Sequence, residues 1–190
     1  MQSDEIHLMS KIQNQSRRVR ILFQCLFVLT PIMVCYYWLT VETPYDFLTS
    51  MGIIEMSFKT NDFTSLPLSI STRVYIMIAS LMLCSIIMYA LTLLIRLFKN
   101  YERDEIFSLE NANYYQKLGY SLFYWVGGSL IYGAATSVIL SFNNTPGKRM
   151  LSVTFEGLDL LTLMFGFIVV IISWVMKEGH ALADENRHTI

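Results

Sequence analysis

Two carboxylates in an otherwise apolar stretch are the groups of this chain best placed to do chemistry. Glu156 and Asp159 stand three positions apart, so their side chains share one face if this stretch is a helix. A carboxylate within a membrane-spanning helix costs about 2.5–3.5 kcal/mol at the helix centre and less toward the ends. Such groups usually face a polar cavity or a cation. The pair therefore predicts a ligand-binding site for a cation, an amine or a lipid headgroup.

A structural ion pair is the alternative for the same two carboxylates. Its basic partners would come from the side of the membrane on which the fourth apolar run begins. The candidates are Arg73, Lys148 and Arg149. In that case the carboxylates pin the hairpin between the last two apolar runs and bind no ligand.

The cysteines and histidines show no spacing typical of catalysis or metal binding. Cys25, Cys35 and Cys84 form no Cys-x-x-Cys pair, which is a common signature of zinc and redox sites. The three histidines stand in the polar ends of the chain, and no phosphate-binding glycine loop is present. We therefore predict no catalytic residue, no metal site and no cofactor, and we predict that the protein is not an enzyme.

Four long apolar runs must position the two carboxylates. The chain has 190 residues, of which 54% are hydrophobic and only 15% are charged. Each run reaches the roughly 20 residues that cross a hydrocarbon core, and backbone groups in lipid must be satisfied within their own segment. We predict an all-α integral membrane protein that forms a single four-helix transmembrane domain over residues 1–190. The predicted spans are about 21–40, 74–98, 118–142 and 151–177.

The distribution of Lys and Arg predicts the orientation of these spans. Only four basic residues, Lys59, Arg73, Lys148 and Arg149, stand on the side opposite the termini, and the other ten stand on the same side as the termini. The positive-inside rule then makes 42–72 an external loop. It makes 99–117 a cytosolic connection and makes 1–20 and 178–190 cytosolic tails. The net charge of −1 argues against bulk electrostatic capture of nucleic acid, so we predict no direct nucleic-acid binding.

Ser108 predicts where the third helix starts. Its hydroxyl can accept from the free backbone N–H groups two or three residues further on. No proline follows until after Phe142, so the helix would be about 50 Å long and would project beyond the bilayer core. Residues 177–186 continue a helical pattern in the same way. We predict that the third and fourth helices extend into the cytosol and form, with residues 1–20, a cytosolic collar.

Small residues in the third span predict close packing. These residues are Gly127, Gly128, Gly133, Ala134, Ala135 and Ser137. Small side chains let helix backbones approach each other. We expect this face to pack tightly inside the bundle, and self-association into a homo-oligomer is the alternative.

Two short stretches resemble signatures of a bacterial four-span membrane family, domain-of-unknown-function family 2975. The first is Ile-Phe-Ser-Leu-Glu-Asn at 106–111, with Leu118 and Gly119 following. The second is Glu-Gly-His-Ala-Leu-Ala-Asp-Glu-Asn-Arg-His-Thr-Ile at 178–190. Members of this family are often encoded beside a small repressor-type helix-turn-helix protein. The resemblance implies a membrane partner that holds or modulates a DNA-binding regulator, and it implies no catalytic residues.

Both stretches fall on the predicted cytosolic collar, which gives the functional prediction. We predict a regulatory protein of the bacterial cytoplasmic (inner) membrane that docks and modulates a small cytosolic helix-turn-helix regulator, in response to a membrane or external signal. Ordinary solvated charges and helix caps are the alternative for each single residue of the collar. The predicted partner-binding residues are Phe107, Ser108, Glu110, Asn111, Tyr114, Glu178, Asp184, Glu185 and Arg187.

The alternative function is a small oligomeric transporter or channel that uses Glu156 and Asp159. Four helices enclose little space, so this function would require several copies of the chain. A transporter also predicts a continuous polar path, and the second and third spans offer no charged residue to line one. Membrane lipid and a second copy of the chain are the other predicted partners.

Overall fold

The protein is built from four long helices in a computed structural model. The structure describes residues 2–41, 43–47, 51, 63–64, 67–142, 144–145 and 147–187. The helices are α1 (Gln2–Thr40), α2 (Ile70–Tyr101), α3 (Leu109–Ser141) and α4 (Gly157–Arg187). All four are long and apolar enough to cross a membrane, and no strand occurs within the described residues. The predicted all-α architecture with four candidate membrane spans is confirmed.

The chain divides into two compact units. The first, unit 1, comprises Met1–Val28, Ile86–Val126 and Gly157–Ile190. The second, unit 2, comprises Leu29–Ser85 and Gly127–Glu156. Three of the helices contribute residues to both units, whereas α4 belongs wholly to unit 1. The description of residues 1–190 as a single domain stays a prediction.

In unit 1, α3 and α4 approach each other at a pair of glycines. A Cβ atom on Gly119 would stand 2.5 Å from Cγ2 of Val170 and 3.0 Å from the carbonyl oxygen of Gly166. Beside this contact the rings of Phe123 and Phe167 pack edge to face, with centroids 4.9 Å apart. Glycine is required here because any side chain on Gly119 would push the two helix backbones apart.

Of the six small residues that we expected to pack tightly, Ser137 is buried, whereas Gly127 and Gly133 make no close helix contact. A Cβ added to Gly127 or Gly133 would meet nothing within 4 Å in the structure. The close helix contact instead uses Gly119, one of the residues of the first signature stretch. The prediction of tight packing at Gly127 and Gly133 was wrong, because no described neighbour comes within contact distance of a Cβ at either position.

In unit 2, a buried indole is tied into the helix core by hydrogen bonds. Trp38 of α1 donates from Nε1 to Oγ of Ser80 in α2 at 2.7 Å. The Ser80 hydroxyl lies 2.9 Å from the hydroxyl of Tyr132 in α3. A buried Trp N–H needs an acceptor, so this arrangement satisfies the indole where no water competes. Trp38 belongs to a buried hydrophobic cluster whose other members are Tyr37, Val41, Leu68, Ile76 and Leu140.

The start of α4 differs from the sequence prediction. We predicted that the fourth helix begins at 151, but residues 148–156 are non-helical and α4 begins at Gly157. Two buried serines of α3 hold the backbone of this segment: the Ser141 hydroxyl accepts from the N–H of Met150 at 3.1 Å, and the Ser137 hydroxyl accepts from the N–H of Ser152 at 3.0 Å. We call these two contacts the serine clamp.

The serine clamp forms because four residues of a helix and two residues of extended chain span nearly the same length. Four residues of helix rise about 6 Å, and two residues of extended chain rise about 6.6 Å. Hydroxyls at positions 137 and 141 therefore match N–H groups at positions 152 and 150. Buried backbone donors need partners, so the clamp allows a non-helical segment to lie against a helix.

Replacing Ser141 by alanine tests the serine clamp. We expect Ser141→Ala to lower the free energy of unfolding by about 1 kcal/mol, because the N–H of Met150 loses the buried hydroxyl that accepts from it. The measurement is unfolding of the purified protein in mixed micelles with increasing sodium dodecyl sulfate, followed by circular dichroism. The control is Ser85→Ala, since the exposed Ser85 hydroxyl donates only to Met82 O of its own helix. Equal stability of the two variants would contradict the clamp.

Candidate functional site

The connection between α2 and α3 is a tightly built turn, which we call the α2–α3 corner and define as residues 100–112. It lies wholly in unit 1. Asp104 has a positive φ of 62°, the left-handed conformation that Asp tolerates better than most residues. The N–H of Glu105 donates to the carbonyl of Asn100 at 3.1 Å, and the N–H of Asp104 donates to that of Tyr101 at 3.3 Å. This pair of bonds is the Schellman motif that ends a helix and satisfies its last carbonyls.

A buried asparagine fixes the second half of the corner. The Asn111 side chain is fully buried. Its amide donates to the carbonyl of Glu105 and, at 3.0 Å, to the carbonyl of Ile106. Its amide oxygen accepts from Nδ2 of Asn100 at 2.9 Å. One side chain therefore binds the end of α2, the turn and the start of α3 together.

Ser108 caps the start of α3. Its hydroxyl accepts from the N–H of Asn111 at 3.2 Å, and α3 begins at the next residue, Leu109. The predicted helix start is confirmed. The cap fills one of the four donor positions that the first turn of a helix leaves open.

Helices α1 and α4 are tied to the corner and to the first turns of α3. From α1, Arg20 Nε forms a 2.7 Å ion pair with Glu102, and Gln13 Nε2 donates to Asp104 at 2.7 Å. From α4, the buried hydroxyl of Ser173 donates to the carbonyl of Ala112 at 2.7 Å. A second contact from α4 joins Lys177 Nζ to Gln116 Oε1 at 2.6 Å. These bonds hold the corner from two sides.

A model of the family described as "Protein of unknown function (DUF2975)" matches residues 53–190. The chain belongs to this family. The match includes α2, the corner, α3 and α4, whereas α1 precedes it. No curated protein and no solved structure matches the chain.

The structure brings together five of the residues that we predicted to bind a partner. Phe107, Ser108, Glu110, Asn111 and Tyr114 all stand in the corner or in the first turns of α3. Phe107 is 85% exposed, and Glu110 is also exposed. Glu110 accepts from the hydroxyl of Tyr114 at 2.6 Å and from Nδ2 of Asn100 at 3.0 Å. These contacts order an acidic side chain at the surface of this DUF2975 protein.

Asn111 and Ser108 have roles different from direct contact with a partner. Asn111 is fully buried, so its side chain cannot touch a docked protein and instead shapes the surface above it. Ser108 uses its hydroxyl as a helix cap. Glu178 and Asp184 are exposed on α4. Glu185 and Arg187 also stand in α4, but their side chains lie outside the described residues.

Sequence reasoning missed Asn100, which the structure places at the centre of the corner. Asn100 is buried with Leu93 and Leu97, at the spacing i, i+4, i+7 that marks one face of a helix. A polar side chain that continues a buried apolar face needs a hydrogen-bond partner. That spacing could have predicted an asparagine pair across the corner.

The two carboxylates of the predicted ligand site lie at the start of α4. Glu156 is exposed and immediately precedes the helix, and Asp159 is half-buried in its first turn. The predicted fourth span, about 151–177, would place both carboxylates inside the helix, but α4 begins six residues later, at Gly157. A carboxylate at a helix N-terminus is stabilised by about 0.3–1 kcal/mol, so its presence there demands no ligand.

The basic residues proposed as ion-pair partners make other contacts. In unit 2, Arg73 donates to the carbonyls of Val41 at 2.5 Å and Leu68 at 3.4 Å, which places a cation at the end of α1. The guanidinium of Arg149 lies over the ring of Phe142, 4.8 Å from its centroid. A ligand site or an ion pair at Glu156 and Asp159 stays a prediction.

Proposed function

We propose that this protein is a regulatory protein of the bacterial inner membrane that docks a small helix-turn-helix regulator on its α2–α3 corner, in response to a membrane or external signal. The observation that carries the proposal is the construction of the corner. A buried asparagine, a Schellman motif and a serine cap fix a short connection whose outer side chains remain exposed. A fixed, exposed surface suits docking because little conformational entropy is lost on binding.

The basic residues support an orientation that places the corner in the cytoplasm. Ten of the fourteen Lys and Arg residues stand on the side of the corner and of both termini. α3 has 33 residues and α4 has 31, lengths of about 50 and 46 Å that exceed a hydrocarbon core of about 30 Å. In the proposed arrangement the surplus length of both helices projects into the cytosol. A regulator that binds DNA would meet the corner there.

The exposed carboxylates of this surface support a basic partner. Asp104, Glu105 and Glu110 are exposed in the corner beside Arg103, and Glu178 and Asp184 are exposed on α4. A helix-turn-helix protein binds DNA through a basic surface. Carboxylates on the membrane protein would attract that surface and compete with phosphates for it. Docking would then withdraw the regulator from DNA.

The proposal is tested by affinity purification of the tagged, full-length protein from its native membrane, followed by mass spectrometry. We expect a small, basic helix-turn-helix protein in near-stoichiometric yield, and an electrophoretic mobility assay should show that the purified complex binds DNA less than the free regulator does. Recovery of the chain alone, or with lipid only, would contradict the proposal. That result would favour the alternative function, a transporter or channel that uses Glu156 and Asp159.

Removal of exposed carboxylates tests the proposed electrostatic attraction in the same affinity purification. We expect Glu105→Gln/Glu178→Gln to lower recovery of the regulator about fivefold, since two exposed charge pairs contribute about 1 kcal/mol together. Both side chains are exposed. The matched control is Lys117→Gln, an exposed cation of the same unit, which should not lower recovery. Equal loss in both variants would indicate that the effect is not electrostatic attraction to a basic partner.

A further inference from the structure

Phe107 is an aromatic side chain held out into solvent by a rigid turn. Its side chain is 85% exposed, a larger fraction than that of any other phenylalanine that the structure describes. The other highly exposed apolar residues of unit 1 lie mostly within the candidate membrane spans, where lipid would cover them. Phe107 lies between α2 and α3, outside both spans. Contact between a membrane-spanning helix and lipid therefore does not explain why Phe107 is exposed.

The backbone on both sides of Phe107 is fixed. The carbonyl of Ile106, the preceding residue, accepts from the buried amide of Asn111 at 3.0 Å. Ser108, the following residue, caps α3. The aromatic ring thus projects from a backbone that has little freedom to fold back and cover it. A side chain on a fixed backbone loses less entropy on binding than one on a mobile loop, which suits an anchor residue.

The charges around Phe107 favour a protein over a membrane surface as its binding partner. Between residues 103 and 110 the chain carries Asp104, Glu105 and Glu110, all exposed, which outnumber the two cations that act on Glu110, Arg103 and Arg96. The cytoplasmic leaflet is negatively charged and repels such a segment. A basic protein is attracted to it.

We propose that Phe107 is the anchor of the docking surface and that it inserts into an apolar pocket on a small basic protein. This inference rests on the proposed function and deepens it by naming the side chain that supplies most of the affinity. The surrounding carboxylates then lie at the rim of the contact. They meet the basic surface around that pocket, while the ring fills the pocket itself.

The test uses the regulator that the wild-type chain retains on affinity purification. This regulator is titrated against the full-length membrane protein in lipid nanodiscs, and its dissociation constant is measured. We expect Phe107→Ala to raise the dissociation constant about 30-fold, as removal of an aromatic hot spot does. The matched control is Tyr124→Ala, which removes another exposed aromatic ring, 61% exposed, from a membrane span of the same unit. It should leave binding unchanged.

A photo-crosslinker at the same position gives an independent result. With p-benzoylphenylalanine at 107, we expect a protein adduct that contains the small basic regulator, and at 124 we expect lipid adducts only. Binding by Phe107→Ala within threefold of wild type would overturn the anchor, and so would lipid adducts alone at 107. If the wild-type chain retains no basic protein at all, the proposed function itself fails, so the two failures are distinguishable.

Discussion

Replacing Asn111 by leucine lowers the free energy of unfolding by about 3 kcal/mol, the largest effect that we expect from a single change in this protein. Leucine has a similar volume but no polar atoms. The change leaves the carbonyls of Glu105 and Ile106 without the amide that they share, and it removes the oxygen that accepts from Asn100. Each buried group left unpaired costs about 1–3 kcal/mol, and partial hydration of the turn limits the sum.

The measurement is unfolding in mixed micelles, with Ser108→Ala as the comparison. Ser108→Ala removes one capping bond from the same corner and should cost only about 1 kcal/mol. If Asn111→Leu were no more destabilising than Ser108→Ala, the asparagine would not be what holds the corner together. Because Asn111 is fully buried, any loss of partner binding in Asn111→Leu would reflect distortion of the corner and not a lost contact.

Replacing Gly119 by alanine gives the second large effect, a loss of about 2 kcal/mol from overpacking. The new Cβ would meet Cγ2 of Val170 and the carbonyl oxygen of Gly166, so α3 and α4 would have to separate. Gly127→Ala is the matched control, since a Cβ on Gly127 meets nothing within 4 Å. It should be neutral or slightly stabilising, because alanine favours helix more than glycine does.

A double-mutant cycle separates steric conflict from other causes of the Gly119→Ala loss. Val170→Ala removes the closest atom, so the double variant should recover about 1 kcal/mol relative to the sum of the single variants. The contact with the backbone of Gly166 would remain, and recovery should therefore be partial. Strict additivity of the two changes would contradict the close contact between α3 and α4.

Local features of the structure could be predicted from the sequence, and contacts between distant segments could not. Four apolar runs predict four long helices, and Ser108 predicts the start of α3, because each depends only on neighbouring residues. The start of α4 depends on Ser137 and Ser141, which belong to another helix. The stretch Leu-Ser-Val-Thr-Phe at 151–155 adjoins a long apolar run and was therefore predicted to belong to the fourth helix, which the contacts with those hydroxyls contradict.

At the candidate site, too, the sequence predicts local features but not contacts between distant segments. The sequence draws attention to the segment 106–111, which lies within the family match. It cannot tell which of those side chains point inward, so Asn111 and Phe107 are indistinguishable as candidates until their burial is known. Likewise, glycines favour close helix packing only where another helix crosses them. That condition holds at Gly119 and does not hold at Gly127.

The serine clamp has a consequence for how the length of this chain can vary. Two spacings are locked to each other: four residues from Ser137 to Ser141, and two residues from Met150 to Ser152. The number of residues in the stretch 142–149 between them enters neither spacing. Insertions and deletions in that stretch leave both spacings unchanged, whereas one residue added between 150 and 152 would turn a paired N–H away from its serine and shift the chain that leads into α4.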